Sequence, residues 1–161
     1  MKALTVTPRD AMLLLLDRKW VVCQQTRTDF RGPVVICADA QPLQAATIPG
    51  MALCVVNLSD IEPFSEDHLE AAGMRHMPKN GWFAWIFDDL DWIKPFPLPA
   101  DAKGPEDGLF DLNGKLVDRL PLEMDSKQAL RTYYEPLIRW SDSHQSEAET
   151  RSWWEGELNQ F

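Results

Sequence analysis

The side chains of this sequence that could do chemistry gather in its amino-terminal quarter. Arg9, Arg18, Lys19, Arg27 and Arg31 are cations, with Trp20 and Phe30 interleaved among them. Cations in such a group meet phosphates, and an exposed ring between them stacks on a base at about 1–3 kcal/mol per base. The same residues also fit a solvated strand edge, with the cations paired to Asp10, Asp17 and Asp29 and Trp20 turned inward. Other chemistry is thinly represented. His68, His76 and His144 show no H-x-x-x-H or H-E-x-x-H spacing, and Cys23, Cys37 and Cys54 lie in apolar runs without a CxxC pair. These cysteines read as small buried hydrophobes, and neither a metal nor another cofactor is expected. Asp88, Asp89 and Asp91 could hold Mg²⁺, but a solvated turn after an aromatic run accounts for them better. GxSxG, GxxxxGK[ST] and GxGxxG are all missing, so hydrolase-elbow and nucleotide-loop readings have no support.

Those residues belong to a chain of 161 residues, 45% hydrophobic and 25% charged, which is the size of one compact domain or one domain with an appendage. The formal net charge is −9, and it is unevenly spread: residues 1–60 carry six Lys/Arg against five Asp/Glu, residues 61–161 ten against twenty. The overall charge opposes indiscriminate binding to nucleic acid, while the first sixty residues can still present a local basic surface. No apolar run approaches the roughly 18 residues of a membrane span. The opening MKALTVTPRD lacks the apolar core and small-residue cleavage site of a secretory signal, so a reducing cytoplasm is the expected location.

Several elements must position the cations. Ala3 to Val6 reads as a strand. Thr7 before Pro8, with Asp10 three residues after the cap, predicts a helix to about Asp17 whose Met12–Leu16 run is buried nearly all round. Trp20–Cys23, Val34–Ala38 and Met51–Leu58 read as strands. Ser65 caps a short helix, with Phe64 and Leu69 as a hydrophobic staple and Gly73 beyond its end. Trp82–Phe87 is apolar on both alternating faces and predicts a strand covered on both sides. Residues 94–108 hold four of the twelve prolines and two glycines, which excludes helix and central strand. Leu109–Leu112 is a last strand. Asp125 and Gln128 then open a helical pattern through Leu130, Tyr133, Tyr134, Leu137 and Ile138 that Pro136 should kink or split. Ser146 and Glu149 cap a final helix whose Trp154, Leu158 and Phe161 share a face, with Trp153 partly exposed.

The stretch Pro8 to Ala38 consists of a helix, Lys19, a polar segment into Arg31-Gly32-Pro33 and the strand Val34–Ala38. It resembles the amino-terminal half of the ASCH domain, a relative of the PUA domain. Met51–Leu58, Trp82–Phe87 and the Pro-rich segment into Gly108-Leu109-Phe110 follow in the same order, so the resemblance covers roughly residues 3–115. It implies a cleft for RNA or a modified nucleobase; some small bacterial members hydrolyse N4-acetylcytidine with a Lys, a Thr and a Glu. Lys19 is retained here, whereas Arg18 stands for a Gly, Val22 for a Glu or Thr, and Gln24 for an Arg. Val22 can supply neither proton nor nucleophile, so hydrolysis would need Thr26 or Glu70 to reach the cleft by another route.

The expected architecture is α+β: a small PUA-like β-barrel of about five or six strands with flanking helices over residues 1–115, and a helical extension over 116–161 packed on it. The expected function is binding of RNA, single-stranded nucleic acid or a modified nucleobase. Lys19, Gln24, Thr26, Arg27 and Arg31 would line the cleft, Lys19 and Arg31 converging on it. Two alternatives stand beside it: a hydrolase of a modified nucleoside, and a protein-interaction module that uses the acidic second half of the chain.

Overall fold

Thr7 caps helix α1 (Pro8–Leu15) as its position predicts, its hydroxyl accepting from the Asp10 amide at 3.2 Å with Pro8 in the first turn. The computed structural model describes residues 1–40, 44–98 and 108–161. Six strands form one sheet: β1 (Lys2–Val6), β2 (Val21–Gln24), β3 (Gly32–Ala38), β4 (Met51–Pro63), β5 (Phe83–Pro97) and β6 (Leu109–Asp111), in the spatial order β2-β5-β4-β3-β1-β6. β1 and β3 run parallel; every other neighbouring pair is antiparallel. With its helices, this curled half-barrel is an α+β fold.

Alternation along the strands sorts side chains to two faces. Leu4, Val34, Ile36, Val56, Leu58 and Trp85 enter the main apolar cluster together with α1, whereas Ala3, Val35, Cys37, Val55 and Phe110 enter a second cluster on the other face. The aromatic strand is covered on both sides as its sequence predicts. Trp85 and Phe87 lie in the main core, and Ala84 and Ile86 lie in a third cluster with Val21, Ala72 and Phe64. Curling brings the flanks of the two edge strands together. The Trp85 indole donates to the Thr26 carbonyl at 2.9 Å, and a Cβ on Gly108 would stand 3.3 Å from Thr26 Oγ1. Gly108 also has φ +86°, so any side chain there would be strained as well as crowded.

Two expectations are corrected. β5 does not stop before residue 94 but continues through Pro95 to Pro97, paired with β4 as far as Met51. Proline is tolerated because β5 loses β2 as a neighbour beyond Phe87's end of the ladder, leaving those residues with one full strand partner. The rest of the Pro/Gly segment, 99–107, lies outside the described residues. Asp88, Asp89 and Asp91 are likewise not in a turn but within β5, where Asp89 adopts φ +54°. Pairing steps from Val55–Asp91 to Asn57–Asp88, leaving one extra residue on β5. That bulge lets a strand stay bonded while it bends. The carboxy-terminal pattern splits near Pro136 as expected: α2 (Ser126–Ala129) passes into a π-turn (Leu130–Tyr134) and a 3₁₀ turn (Glu135–Leu137) before extending at Ile138.

Residues beyond 125 complete the main core. Leu130, Tyr134, Ile138, Trp154 and Leu158 are buried in the same cluster as Leu4 and Val34. Helix α3 (Glu147–Leu158), capped by Ser146, is held by Arg18 Nε on Glu157 at 2.7 Å and by Trp154 Nε1 on Glu135 at 2.8 Å. Trp153 is 37% exposed and Phe161 40%, the latter packed obliquely on Trp92. The Tyr134 hydroxyl sits at the largest register break between β4 and β5. It accepts from the Ile93 amide at 3.1 Å and lies 2.8 and 2.7 Å from the carbonyls of Leu53 and Ile93, to which its proton is donated. Tyr134→Phe leaves those buried groups without that partner. We expect a loss of about 1–3 kcal/mol in urea unfolding with little change in m-value.

Cys37 and Cys54 are buried in the sheet, and all three thiols are free. Burial pushes the Cys37 thiol from 9.0 up to about 12, and burial beside Cys37 pushes Cys54 up as well. Because the folded values are raised, the stability they contribute is complete below about pH 9 and declines as pH rises from there toward 12. Native protein at pH 8 should therefore leave Cys37 and Cys54 unmodified by iodoacetamide while the urea-unfolded chain reacts at all three. Rapid native alkylation of Cys37 would contradict this packing.

Candidate nucleic-acid interface

Gln24 is the last residue of β2 and pairs with Phe83, the first of β5. The chain then turns through residues 25–31 before entering β3, and Arg31 shapes that turn from within. Its Nη1 donates to the carbonyls of Thr28 at 2.9 Å and Phe30 at 2.7 Å, and its Nη2 stands 3.9 Å from an Asp60 carboxylate oxygen. Between this turn and the ends of β4 and β5 lies a hollow of about 130 Å³ bounded by Arg27, Thr28, Arg31, Ile61 and Phe83. A second hollow, of about 260 Å³, shares Pro63 and Phe83 with it and extends past Trp82, Met77 and Lys79. Joined by those two residues, they make a shallow trough with aromatic and proline walls. Three cations, Arg27, Arg31 and Lys79, face one lining carboxylate, Asp29. The guanidinium of Arg27 and the ammonium of Lys79 have no bonded partner among the described residues.

The five residues singled out in the sequence are divided by the fold. Arg27 and Arg31 come together in the trough. Gln24 and Thr26 stand beside it, at the end of β2 and at the sheet seam. Lys19 is not among the residues lining that hollow. The interleaved rings are also elsewhere: Phe30 packs against the main core and folds back over Gly32, and Trp20 packs at the opposite end of β2. The rings that flank the cations are Phe83 and Trp82, which sequence reasoning assigned only to a covered strand. The signal was available in principle, because Phe83 begins the aromatic run and pairing with Gln24 brings it beside residues 27–31.

Lys19 is 7% exposed, and its ammonium donates to Asp10 Oδ1 at 2.8 Å and to the Ala72 carbonyl at 2.6 Å. It thereby ties α1 and the start of β2 to the loop 64–82 that covers Val21 and Ala84. That loop is also fastened by Phe64 N on the Trp82 carbonyl, and the Ser65 amide donates to His68 Nδ1 while His68 Nε2 meets Glu62. Cys23 is close enough to feel both charges, but burial is the larger effect and raises its thiol above 9.0. Val22 is buried in the main core, and Glu70 is exposed. Among the described residues no group of three or more His, Cys, Asp or Glu could hold a metal, and no helix is long and apolar enough to cross a membrane. Lys19→Met removes both bonds from one buried end. The expected result is about 1–3 kcal/mol of lost stability in urea unfolding and faster proteolysis within residues 66–80.

Comparison with solved structures sets this six-stranded curled sheet, with a helix between its first two strands, beside that of an ASCH protein. The ASCH protein from Zymomonas mobilis superposes with a TM-score of 0.53 at 14% identity, over 68% of this chain and 85% of that one. Two point mutants of the same protein give TM-scores of 0.52 and 0.51 at 15% identity, over 68% of this chain and 87% and 85% of theirs. The fold is therefore ASCH-like. No protein-family model and no curated protein matches the sequence.

Proposed function

We propose that this chain is an ASCH-type nucleic-acid-binding module that takes single-stranded RNA, or an unstacked or modified nucleobase, in the trough beside β2. The observation that carries the reading is the juxtaposition of Arg27, Arg31 and Lys79 with Phe83 and Trp82. Cations set along an aromatic wall meet phosphates while the ring faces hold bases, whichever base is presented. Gln24 and Thr26, at the margin, offer amide and hydroxyl groups to a base edge. Lys19 acts here through the loop it anchors. The barrel over 1–115 carries the trough, and 116–161 buttresses it by completing the core. A cytoplasmic setting suits three free thiols. The hydrolase alternative would need an acid–base pair next to a bound base. Val22 faces the core instead, and the Lys19 ammonium is committed to Asp10 and Ala72.

Titration of a fluorescein-labelled single-stranded RNA at low salt should give saturable binding that weakens with added salt. Each phosphate neutralised contributes a slope of about −0.7 in log K against log salt, so three cations give about −2. Arg27→Ala should make that slope shallower by about 0.7, and Phe83→Ala should weaken binding about fivefold or more without changing it. Absence of binding in about 20 mM salt, or equal affinity for a duplex of the same sequence, would overturn the reading.

A further inference from the structure

A hollow larger than the trough lies elsewhere on the molecule. It is an open groove of about 710 Å³ beside the middle of β5, between that strand, the turn after α1 and the segment 119–126. Its volume falls in the range of about 300–1,000 Å³ typical of ligand sites. Trp20, Trp92 and Phe161 supply aromatic surface. Trp92 is fixed by its indole donating to the Leu15 carbonyl at 2.9 Å, and Phe161 packs on it with ring centroids 5.7 Å apart. The carboxylates Asp17, Asp89 and Asp91 stand around these rings. Against them is one cation, Arg119, already held by Asp91 at 2.7 Å. The side-chain carboxylates of Asp17 and Asp89 have no ion pair or hydrogen bond among the described residues. At the rim Leu122 is 99% exposed, beside the half-buried Met124.

Uncompensated carboxylates around aromatic faces select an occupant of one charge. A phosphate chain would be repelled, and a neutral apolar segment would leave the carboxylates unanswered. A lysine or arginine side chain satisfies both parts: its methylene stem lies along Leu122 and Met124, and its head group meets Asp17 or Asp89 over the face of a Trp. At about 710 Å³ the groove is also larger than a single head group needs, which favours an extended segment. We infer that this groove docks a basic segment of a partner polypeptide, one that presents Lys or Arg alternating with apolar residues. The site is independent of the trough. Phe83 and Asp89 are separated by about 20 Å of β5 contour, and the two hollows share no lining residue.

The test uses the full chain and an acetylated, amidated peptide of alternating lysine and leucine, with the glutamate-for-lysine peptide as control. In ¹H–¹⁵N spectra the indole N–H signals of Trp20 and Trp92 should shift saturably, and those of Trp82 and Trp85 should stay in place. Asp17→Asn and Asp89→Asn keep a residue tolerant of positive φ, so the backbone at 62° and 54° is not disturbed. Each should weaken binding about two- to fivefold, and Leu122→Ser should weaken it as well. The inference is overturned if the acidic peptide binds equally, or if the variant that combines Asp17→Asn, Asp89→Asn and Leu122→Ser binds as tightly as the parent. It is also overturned if N-acetyl-lysine methylamide matches the peptide's affinity, which would mean a small cation site. A dimer formed through the groove in sedimentation runs of the protein alone would assign it to a second copy and overturn it too.

Discussion

A sheet that curls far enough to bring its two edges together cannot keep an unbroken ladder. Between β4 and β5 the register shifts three times, and each shift leaves backbone groups facing a partner out of reach. In an apolar interior such groups cost far more unpaired than a good hydrogen bond returns. The Tyr134 hydroxyl meets this constraint at the largest shift, and Ser59 meets it at another by donating to the Ile86 carbonyl at 3.0 Å. Curvature of the sheet thus depends on a side chain from a segment more than thirty residues beyond the strand it serves. The π-turn that carries Tyr134 arises because Pro136 cannot continue an α-helix. A local interruption in one element lets a hydroxyl reach a local interruption in another.

That arrangement also explains which parts of the molecule the sequence made legible. Caps are short-range, so Thr7, Ser65, Asp125 and Ser146 all mark their turns correctly, although His68 closes the Ser65 cap in place of a longer side chain. Two-sided burial of the Trp82–Phe87 run shows in its composition. The continuation of β5 to Pro97 does not, because proline propensity speaks only of the missing donor and not of whether a neighbour asks for one. Bulges such as Asp89 are similarly hidden. Three acidic residues in four positions look like a turn unless the ladder on either side is known.

The candidate interface was half legible for a related reason. Charge and aromatic content can be counted, and they pointed to residues 19–31. Which of these share a surface depends on whether a side chain finds a partner inside. Lys19 found Asp10 and a carbonyl, and Phe30 found the core, whereas Arg27 found neither. Sequence proximity grouped them, and burial separated them. Strand pairing then supplied the rings from residues more than fifty positions away. Arg27 and Arg31 thus stand beside the first residue of β5, and Asp89 and Asp91 lie near its middle, a separation that the net charge alone does not reveal.

That Trp154 and Leu158 share one buried cluster with Leu4 and Val34 has a bearing on how the protein is made. A chain emerging from the ribosome exposes its first strands long before the residues that cover them exist. At about 5–20 residues per second, the interval between Leu58 and Trp154 is on the order of 5–20 seconds. Throughout that time α1 covers the inner face of the half-barrel without the carboxy-terminal side chains that complete its core. The order of the elements thus sets how long that face stays only partly covered during synthesis.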